Sequence, residues 1–349
     1  MTKNRQLDAW QVTPEAFPGD AAMIAKLEYV TRYAVLAPST HNTQPWWFRI
    51  VEETIELHAD RSRALPIADP DSRELLMSCG AALLNLRLAM RRFGYTATVR
   101  TFPDAADPDL LARVTMTVGP ATSDLERDLF DAIARRRTNR QRFTRTAVVD
   151  EAAQRKLQSA ALTDDAWLVP IWGEPRGEIS ALVDRADRAR FRDRRYRREL
   201  AEWLLPNRSE RGAGVPGYAL GFGTLASYVL PAAVRTFDLG RLLALRDRRL
   251  AKAAGLLAVL GTSGDGPGDW LTAGQASERV ALTAETMGLS TSYLGQPLEH
   301  AGHRDRVREL VNNPGCCPQQ ILGFGPAPAV RATPRRRFSE VIQRGQARA

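Results

Sequence analysis

Cysteine is scarce in this sequence. Only Cys79, Cys316 and Cys317 occur among 349 residues, and no CxxC pair is present. An odd number of cysteines without paired spacing argues against a disulfide framework. It favours a reducing compartment, and we therefore predict a cytoplasmic protein.

Lysine is also rare, although the chain is strongly basic. Only four of the 49 basic residues are lysines, so the net charge of +9 comes almost wholly from arginine. A nucleic-acid surface concentrates its positive charge and interleaves it with aromatic residues, whereas here the arginines are spread along the chain. Nucleic-acid binding remains an alternative that net charge alone supports. We predict no nucleic-acid partner.

Long hydrophobic runs are also missing. The first twenty residues lack the basic-then-apolar order of a secretory signal. The uncharged stretch 212–234 contains five glycines and two prolines, which interrupt a continuous membrane-spanning helix. We predict no membrane contact and interpret this stretch as a covering loop. At 349 residues the chain exceeds the usual size of one core, which favours two packed units.

An internal repeat gives the organisation of the chain. Apolar periodicity predicts a helix from Ile24 that stops at Pro38, a hairpin of strands 46–50 and 54–58, and a helix over 76–93 that ends at Gly94. The segment 80–94 matches 274–288, and 116–121 matches 322–327, in the same order. We predict an N-terminal extension (1–20) and two related α+β halves (21–121 and 122–349), the second with an insertion at about 191–250.

Three polar motifs each allow two interpretations. The segment Pro38–Trp46 is a helix stop with a polar turn, or a loop that binds a polyol or a heterocycle edge. Arg136, Thr138 and Arg140 place cations at a helix C-terminus, or, if the chain extends there, bring two guanidinium groups and a hydroxyl to one face. The run 334–337 is a solvated basic tail, or an extended segment with Arg335 and Arg337 on one side.

The sequence offers no protein nucleophile. It contains no GxSxG motif, no Walker A loop and no GxGxxG after a strand. His300 and His303 near Cys316 and Cys317 lack the spacing of a zinc site, and we predict no metal. We expect a cofactor to carry any redox chemistry, and we nominate no catalytic side chain.

Taken together, the motifs resemble the FMN-dependent nitroreductase superfamily, specifically its fused, lidded Acg-type branch. The matching runs are Pro38-Ser-x-x-Asn-x-Gln-Pro-Trp46, Arg136-x-Thr-x-Arg140, Gly288-Leu-x-Thr-Ser-x-Leu-x-Gln-Pro297 and Pro334-Arg-x-Arg337. The resemblance implies a nitroreductase-like α+β fold in which two fused halves form a pseudo-dimer. Each half has a central, mostly antiparallel sheet flanked by helices.

The resemblance also implies one FMN site per chain, because the first motif has no second copy. It assigns flavin contacts to Ser39, Asn42 and Gln44 from one half, Arg136, Thr138, Arg140, Arg335 and Arg337 around the phosphate, ribityl chain and N1/O2 edge, and Leu294, Gly295 and Gln296 near N5. It implies NAD(P)H-dependent reduction of nitroaromatic, quinone or related acceptors. The alternative is a flavin-storage protein with a closed lid. We expect a monomer with an internal pseudo-dimer, or a homodimer.

Overall fold

The first sheet contains five strands from both ends of the chain. A computed structural model describes residues 5–144, 148–313 and 315–345. The sheet has the order β11-β1-β2-β4-β3 and is antiparallel except for β11, which runs parallel to β1. Its strands are β1 Trp46–Val51, β2 Thr54–Ala59, β3 Tyr95–Thr101, β4 Leu110–Val118 and β11 Ile342–Arg344. The predicted hairpin is confirmed as β1 and β2.

The second sheet contains four strands and is wholly antiparallel. Its order is β5-β8-β10-β9. Its strands are β5 Trp167–Ile171, β8 Leu256–Thr262, β9 Ser290–Tyr293 and β10 Cys317–Gly325. A short parallel pair, β6 Leu204–Leu205 and β7 Val215–Pro216, lies in the predicted insertion. The predicted α+β class with mostly antiparallel sheets is confirmed, while the division into two fused halves stays a prediction.

Helices flank both sheets. They are α1 Met23–Ala34, α2 Arg73–Arg92, α3 Asp124–Arg135, α4 Glu151–Leu162, α5 Gly173–Arg192, α6 Arg194–Trp203, α7 Thr224–Thr236, α8 Gly240–Ala253, α9 Pro267–Thr286, α10 Ala301–Val311 and α11 Phe338–Val341. The two helices of the repeat end alike, because Gly94 after α2 and Gly288 after α9 both adopt positive φ, 82° and 71°. A left-handed residue after the last turn is the usual helix terminator, and glycine adopts it without strain.

The two repeat helices cross at equivalent glycines. The backbones of α2 and α9 approach so closely that a Cβ on Gly80 would overlap the carbonyl oxygen of Leu271, and a Cβ on Gly274 would overlap the carbonyl oxygen of Met77. Each obstructing carbonyl lies three residues before the other helix's glycine. The contact is therefore reciprocal, as a two-fold relation between the repeat copies requires.

The insertion packs as a folded unit against the segment between β2 and α2. Its apolar residues form a cluster with Leu65 and Ala68, and the Glu199 carboxylate accepts hydrogen bonds from the backbone N–H groups of Ile67 and Ala68 at 2.9 and 2.8 Å. The members from the insertion are Phe191, Tyr196, Leu204, Val215, Leu230 and Val234.

The stretch 212–234 is not simply a loop as predicted, since α7 occupies its second half. One internal proline, Pro231, removes one backbone hydrogen bond, but the helix still buries Ser227, Leu230 and Val234 along one face. Among the described residues, no helix combines the length and apolarity needed to cross a membrane.

We predict that Gly80→Ala and Gly274→Ala each lower the free energy of unfolding by at least about 2 kcal/mol, because overpacking a close contact typically costs 1–3 kcal/mol or more. Urea unfolding followed by circular dichroism measures the change. Adding the second substitution to the first variant should lower the free energy of unfolding by less than the first substitution did, because both substitutions separate the same pair of helices.

Gly177→Ala is the matched control, since this helical glycine of α5 is exposed and an added methyl group would meet nothing within 4 Å. It should stabilise the protein slightly, by up to about 1 kcal/mol. Equal effects at all three glycines would contradict the close crossing.

Candidate functional site

Two adjoining cavities lie where elements from both repeat copies meet. The larger has a volume of about 280 Å³ and the smaller about 20 Å³. Pro38, Ser39, Thr138 and Arg140 line both, so the cavities adjoin at these four residues. We refer to them as the large cavity and the small cavity.

The loop after α1 carries backbone strain at the site. His41, Asn42 and Gln44 all adopt positive φ, between 50° and 55°. Residues other than glycine rarely adopt this conformation, and surrounding contacts must hold them in it. Here the contacts reach far along the chain and tie the loop to the insertion and to the C-terminal segment.

Amide side chains supply most of those ties. Asn42 Nδ2 donates to the carbonyls of Gly214 and Pro334 at 2.9 and 3.0 Å. Gln44 Nε2 donates to the carbonyl of Gly212 at 2.8 Å, and Gln44 Oε1 accepts from the backbone N–H of Arg336 at 2.8 Å. Asn42 lines the small cavity, whereas Gln44 lines neither cavity.

The segment after α3 extends as the second interpretation of its motif predicted. Thr138 forms a bridge with Thr291 of β9, the Asn139 N–H donates to the Thr291 carbonyl at 2.8 Å, and the Ser292 hydroxyl donates to the Asn139 carbonyl at 2.7 Å. Arg136 lines the small cavity, and Thr138 and Arg140 line both. The structure therefore brings these three residues together.

The small cavity concentrates positive charge. Its described lining residues include no carboxylate but five arginines: Arg136, Arg137, Arg140, Arg331 and Arg335. Burial, with Arg136 beside it, lowers the pKa of Arg137 to about 10. Burial likewise lowers the pKa of Arg335 well below its ordinary value, and Arg136 and Arg137 add to the effect. An anion in this cavity would relieve that repulsion.

Arg335 is held firmly in place by the protein. Its terminal nitrogens donate to Asn42 Oδ1 at 3.0 Å and to the carbonyls of Leu36 and Ala37 at 2.9 and 3.1 Å. Its Nε, like one terminal nitrogen of Arg136, is buried without a hydrogen-bond partner among the described residues. The Trp10 ring lies 4.6 Å from the Arg335 guanidinium carbon and 4.0 Å from that of Arg137. Such cation–π contacts fix the guanidinium planes.

One buried carboxylate that lines the large cavity forms an ion pair with an arginine that lines the small cavity. Glu278 of α9 lies 3.1 Å from Arg136 Nε, with both side chains almost fully buried. Burial raises the pKa of Glu278 to about 7, although Arg136 opposes the rise. The pair therefore spans the boundary between the two cavities.

One wall of the large cavity consists of apolar side chains of the insertion. They are Phe191, Leu200, Leu204, Val215, Leu220, Phe222, Leu230 and Val234. Gly295 and Gln296, which follow β9, also line it, while the Leu294 side chain is buried in a core cluster. Arg337 is exposed and lines neither cavity, so the structure separates it from Arg335.

Similar sequences identify the family to which this chain belongs. No family model matches the chain. A Mycobacterium tuberculosis protein, "Putative NAD(P)H nitroreductase Rv3131", is 35% identical over 320 residues, and the match covers 90% of each chain. The M. tuberculosis protein acg, which carries the same description, is 31% identical over 325 residues, covering 90% of this chain and 95% of its own. The chain belongs to the Acg-type nitroreductase family.

Solved nitroreductase structures match more distantly. The FMN- and NADPH-dependent nitroreductase NfnB of sphigopyxis sp. is 21% identical, with a TM-score of 0.40 and coverage of 62% of this chain and 97% of its own. A Desulfitobacterium hafniense nitroreductase with bound FMN is 14% identical, with a TM-score of 0.37 and the same coverage. Because these scores are low, the family assignment rests on the sequence relatives.

Several lining residues of this nitroreductase-family chain were not predicted. Trp10 lies in the segment 1–20, which was predicted only as an N-terminal extension. Arg137 lies within the Arg136–Arg140 motif, but on the face opposite the one that was predicted to bind. Arg331 and Glu278 belong to no motif. The one signal for Trp10 is that it is a large aromatic residue ahead of the first helix, a feature it shares with Phe17. The insertion residues offered none, because their positions depend on long-range packing.

Proposed function

We propose that this chain binds FMN across the two cavities and reduces nitroaromatic, quinone or related acceptors with NAD(P)H. One observation carries the proposal: a small cavity lined by five arginines, without a carboxylate among its described lining residues, adjoins a larger and mainly apolar cavity. A ring system with a phosphorylated side chain has these two parts, an anionic end and a flat aromatic body. The names of the sequence relatives support the activity.

The residues present fit this cofactor. Arg136 and Arg335 each hold a buried nitrogen without a partner among the described residues, as a phosphate site needs. In the large cavity, His41 Nε2 and Gln296 Oε1 are similarly unpaired and suit the polar edge of a heterocycle. These four atoms would gain hydrogen bonds when the cofactor binds.

We propose different tasks for the individual side chains. Arg136, Arg137, Arg331 and Arg335 would hold the phosphate, and Ser39 and Thr138 would face the ribityl hydroxyls. Arg140, which lines both cavities, would stabilise negative charge on the ring, and the backbone of 294–296 would border it. For Asn42 and Gln44 we propose mainly a structural task, and the exposed position of Arg337 does not support a direct contact.

When bound, FMN would supply hydride chemistry, taking two electrons from NAD(P)H and giving them to the acceptor. The apolar insertion would exclude water while those electrons are transferred. None of the relatives reported above is named a storage protein, so the storage alternative gains no support. Cytoplasmic location and a monomer or homodimer remain proposals, the first supported by the scarcity of cysteine.

We predict that NADPH or NADH, mixed anaerobically with the FMN-loaded protein, bleaches the flavin absorbance. Adding 1,4-benzoquinone should restore it. Dithionite gives the fully reduced reference spectrum. Flavin that binds but stays oxidised with both nicotinamides would contradict the reductase proposal and favour storage.

We also predict that Arg136→Ala weakens the preference for FMN over riboflavin by roughly tenfold or more, because a hydrogen bond to a charged group contributes about 1.5–3 kcal/mol. Equilibrium titrations of both flavins measure the ratio of dissociation constants. Riboflavin lacks the phosphate, so general damage to the site weakens both ligands and leaves the ratio unchanged.

Arg337→Ala is the control for this titration, since its exposed side chain lines neither cavity. It should change the ratio by less than about twofold, within the range of surface substitutions. A loss equal to that of Arg136→Ala would favour the assignment made from the sequence pattern over the one made from the cavities.

A further inference from the structure

Two carboxyl groups that no motif contains meet at the large cavity. Asp187 of α5 and Asp247 of α8 both line it. Gln296 Nε2 donates to Asp247 Oδ2 at 3.1 Å. Asp187 is only 4% exposed, and its Oδ2 has no hydrogen-bond partner among the described residues. An unpaired buried carboxyl oxygen beside a ligand cavity calls for a functional explanation.

The two arginines nearest to Asp187 in the sequence of α5 form ion pairs with other carboxylates. Arg188 pairs with Asp184 at 3.0 Å, one turn before Asp187, and Arg190 pairs with Glu299. Among the described side chains, Asp187 therefore shares the cavity wall with a second carboxylate, while Arg188 and Arg190 pair with other groups.

The charged and titratable groups around Asp187 come from each element packed there. They are Asp184 and Arg190 on α5, Tyr196 on α6, Asp247 on α8 and Glu299 after β9. Helix α10 reaches α5 at its other end, through Arg306 and Glu178. Burial and then the Asp247 charge raise the pKa of Asp187 well above its ordinary value, and Arg190 opposes the rise. This shift favours the protonated carboxyl, which is the form that can donate a proton.

We propose that Asp187 is the acid that protonates the acceptor in the large cavity. The inference rests on the proposed function and assigns it a catalytic residue. A quinone that receives one hydride equivalent, derived from NAD(P)H through the flavin, needs one proton to become the hydroquinone. The O–H bond of the Asp187 carboxyl breaks, an O–H bond forms on the quinone oxygen, and the carboxylate regains a proton from water after the product leaves.

Other groups at the cavity are less suited to this step. Burial, with Arg190, lowers the pKa of His41 to about 4, so its imidazole is neutral at pH 7. Burial raises the pKa of Tyr196, which makes its hydroxyl a weaker acid. Glu278 also lines the cavity, but it contacts Arg136, which belongs to the small cavity. Glu278→Gln is therefore the comparison variant for an alternative donor.

We expect Asp187→Asn to slow oxidation of the reduced flavoprotein by 1,4-benzoquinone by at least about tenfold at pH 7, since general acids contribute about 10²–10⁴-fold. The flavin is reduced with dithionite, so the measurement does not depend on NAD(P)H. The wild-type rate should fall as pH rises through the Asp187 pKa, and the variant rate should stay low and flat. Asp184→Asn, on the same helix but outside the cavity, should stay close to the wild-type rate and shift the pH profile only slightly to lower pH, because the Asp184 charge is the smallest of the causes that raise the Asp187 pKa.

Infrared spectroscopy of the flavin-free protein gives a second measurement. The spectra are compared in a Glu278→Gln background, because Glu278 has a pKa of about 7 and contributes its own band. There the carbonyl band of protonated carboxyl groups at pH 7 should weaken in Asp187→Asn and persist in Asp184→Asn. If Asp187→Asn does not fold, Asp247→Asn keeps the test open, because removing the neighbouring charge should make that band titrate at lower pH.

The outcomes separate the two proposals. Failure to bind flavin contradicts the proposed function, while the infrared band still decides whether Asp187 is protonated. An unchanged band in Asp187→Asn, an unchanged quinone rate with flavin bound, or a loss of rate in Glu278→Gln alone would overturn the assignment of Asp187.

Discussion

The crossing of α2 and α9 at Gly80 and Gly274 is the constraint on which the site depends. Because neither glycine carries a Cβ, the two backbones pack in direct contact. Side chains within about one turn of this contact on each helix then line a shared cavity: Met77, Ser78 and Ala81 from α2, and Ser277 and Glu278 from α9. Larger residues at the crossing would move the helices apart and separate Glu278 from Arg136.

A second constraint is that one loop binds two segments far from it in sequence. Asn42 and Gln44 bind the insertion through Gly214 and Gly212, and they bind the C-terminal segment through Arg335 and Arg336. These contacts compensate for the positive φ angles of the loop. Through Asn42, which itself lines the small cavity, the loop positions Arg335 there, whereas Gln44 lines neither cavity and holds the loop in place. Strand β11 adds a further contact between the C-terminal segment and the first sheet, because it pairs with β1.

Local features of the fold were predictable from the sequence, and long-range features were not. The hairpin, the helix ends at Gly94 and Gly288 and the extended segment after Arg136 follow from residues close to one another in the chain. The family motifs predicted that the loop at Asn42, the segment at Arg136 and the segment at Arg335 come together. The pairing of β11 with the first sheet, the helix at 224–236 and the contacts of Trp10 and Asp187 depend on packing between segments far apart in sequence. The motif 334–337 predicted one face for two arginines, but the chain buries Arg335 and exposes Arg337.

The central claim is that the seam between two parts of one chain forms a single flavin site. The most direct test is analytical ultracentrifugation with detection at both protein and flavin wavelengths, after loading with excess FMN and removal of free cofactor. The account predicts one FMN per chain in the sedimenting species, whether that species is a monomer or a homodimer. A ratio of two per chain, of one per two chains, or no co-sedimenting flavin would contradict it.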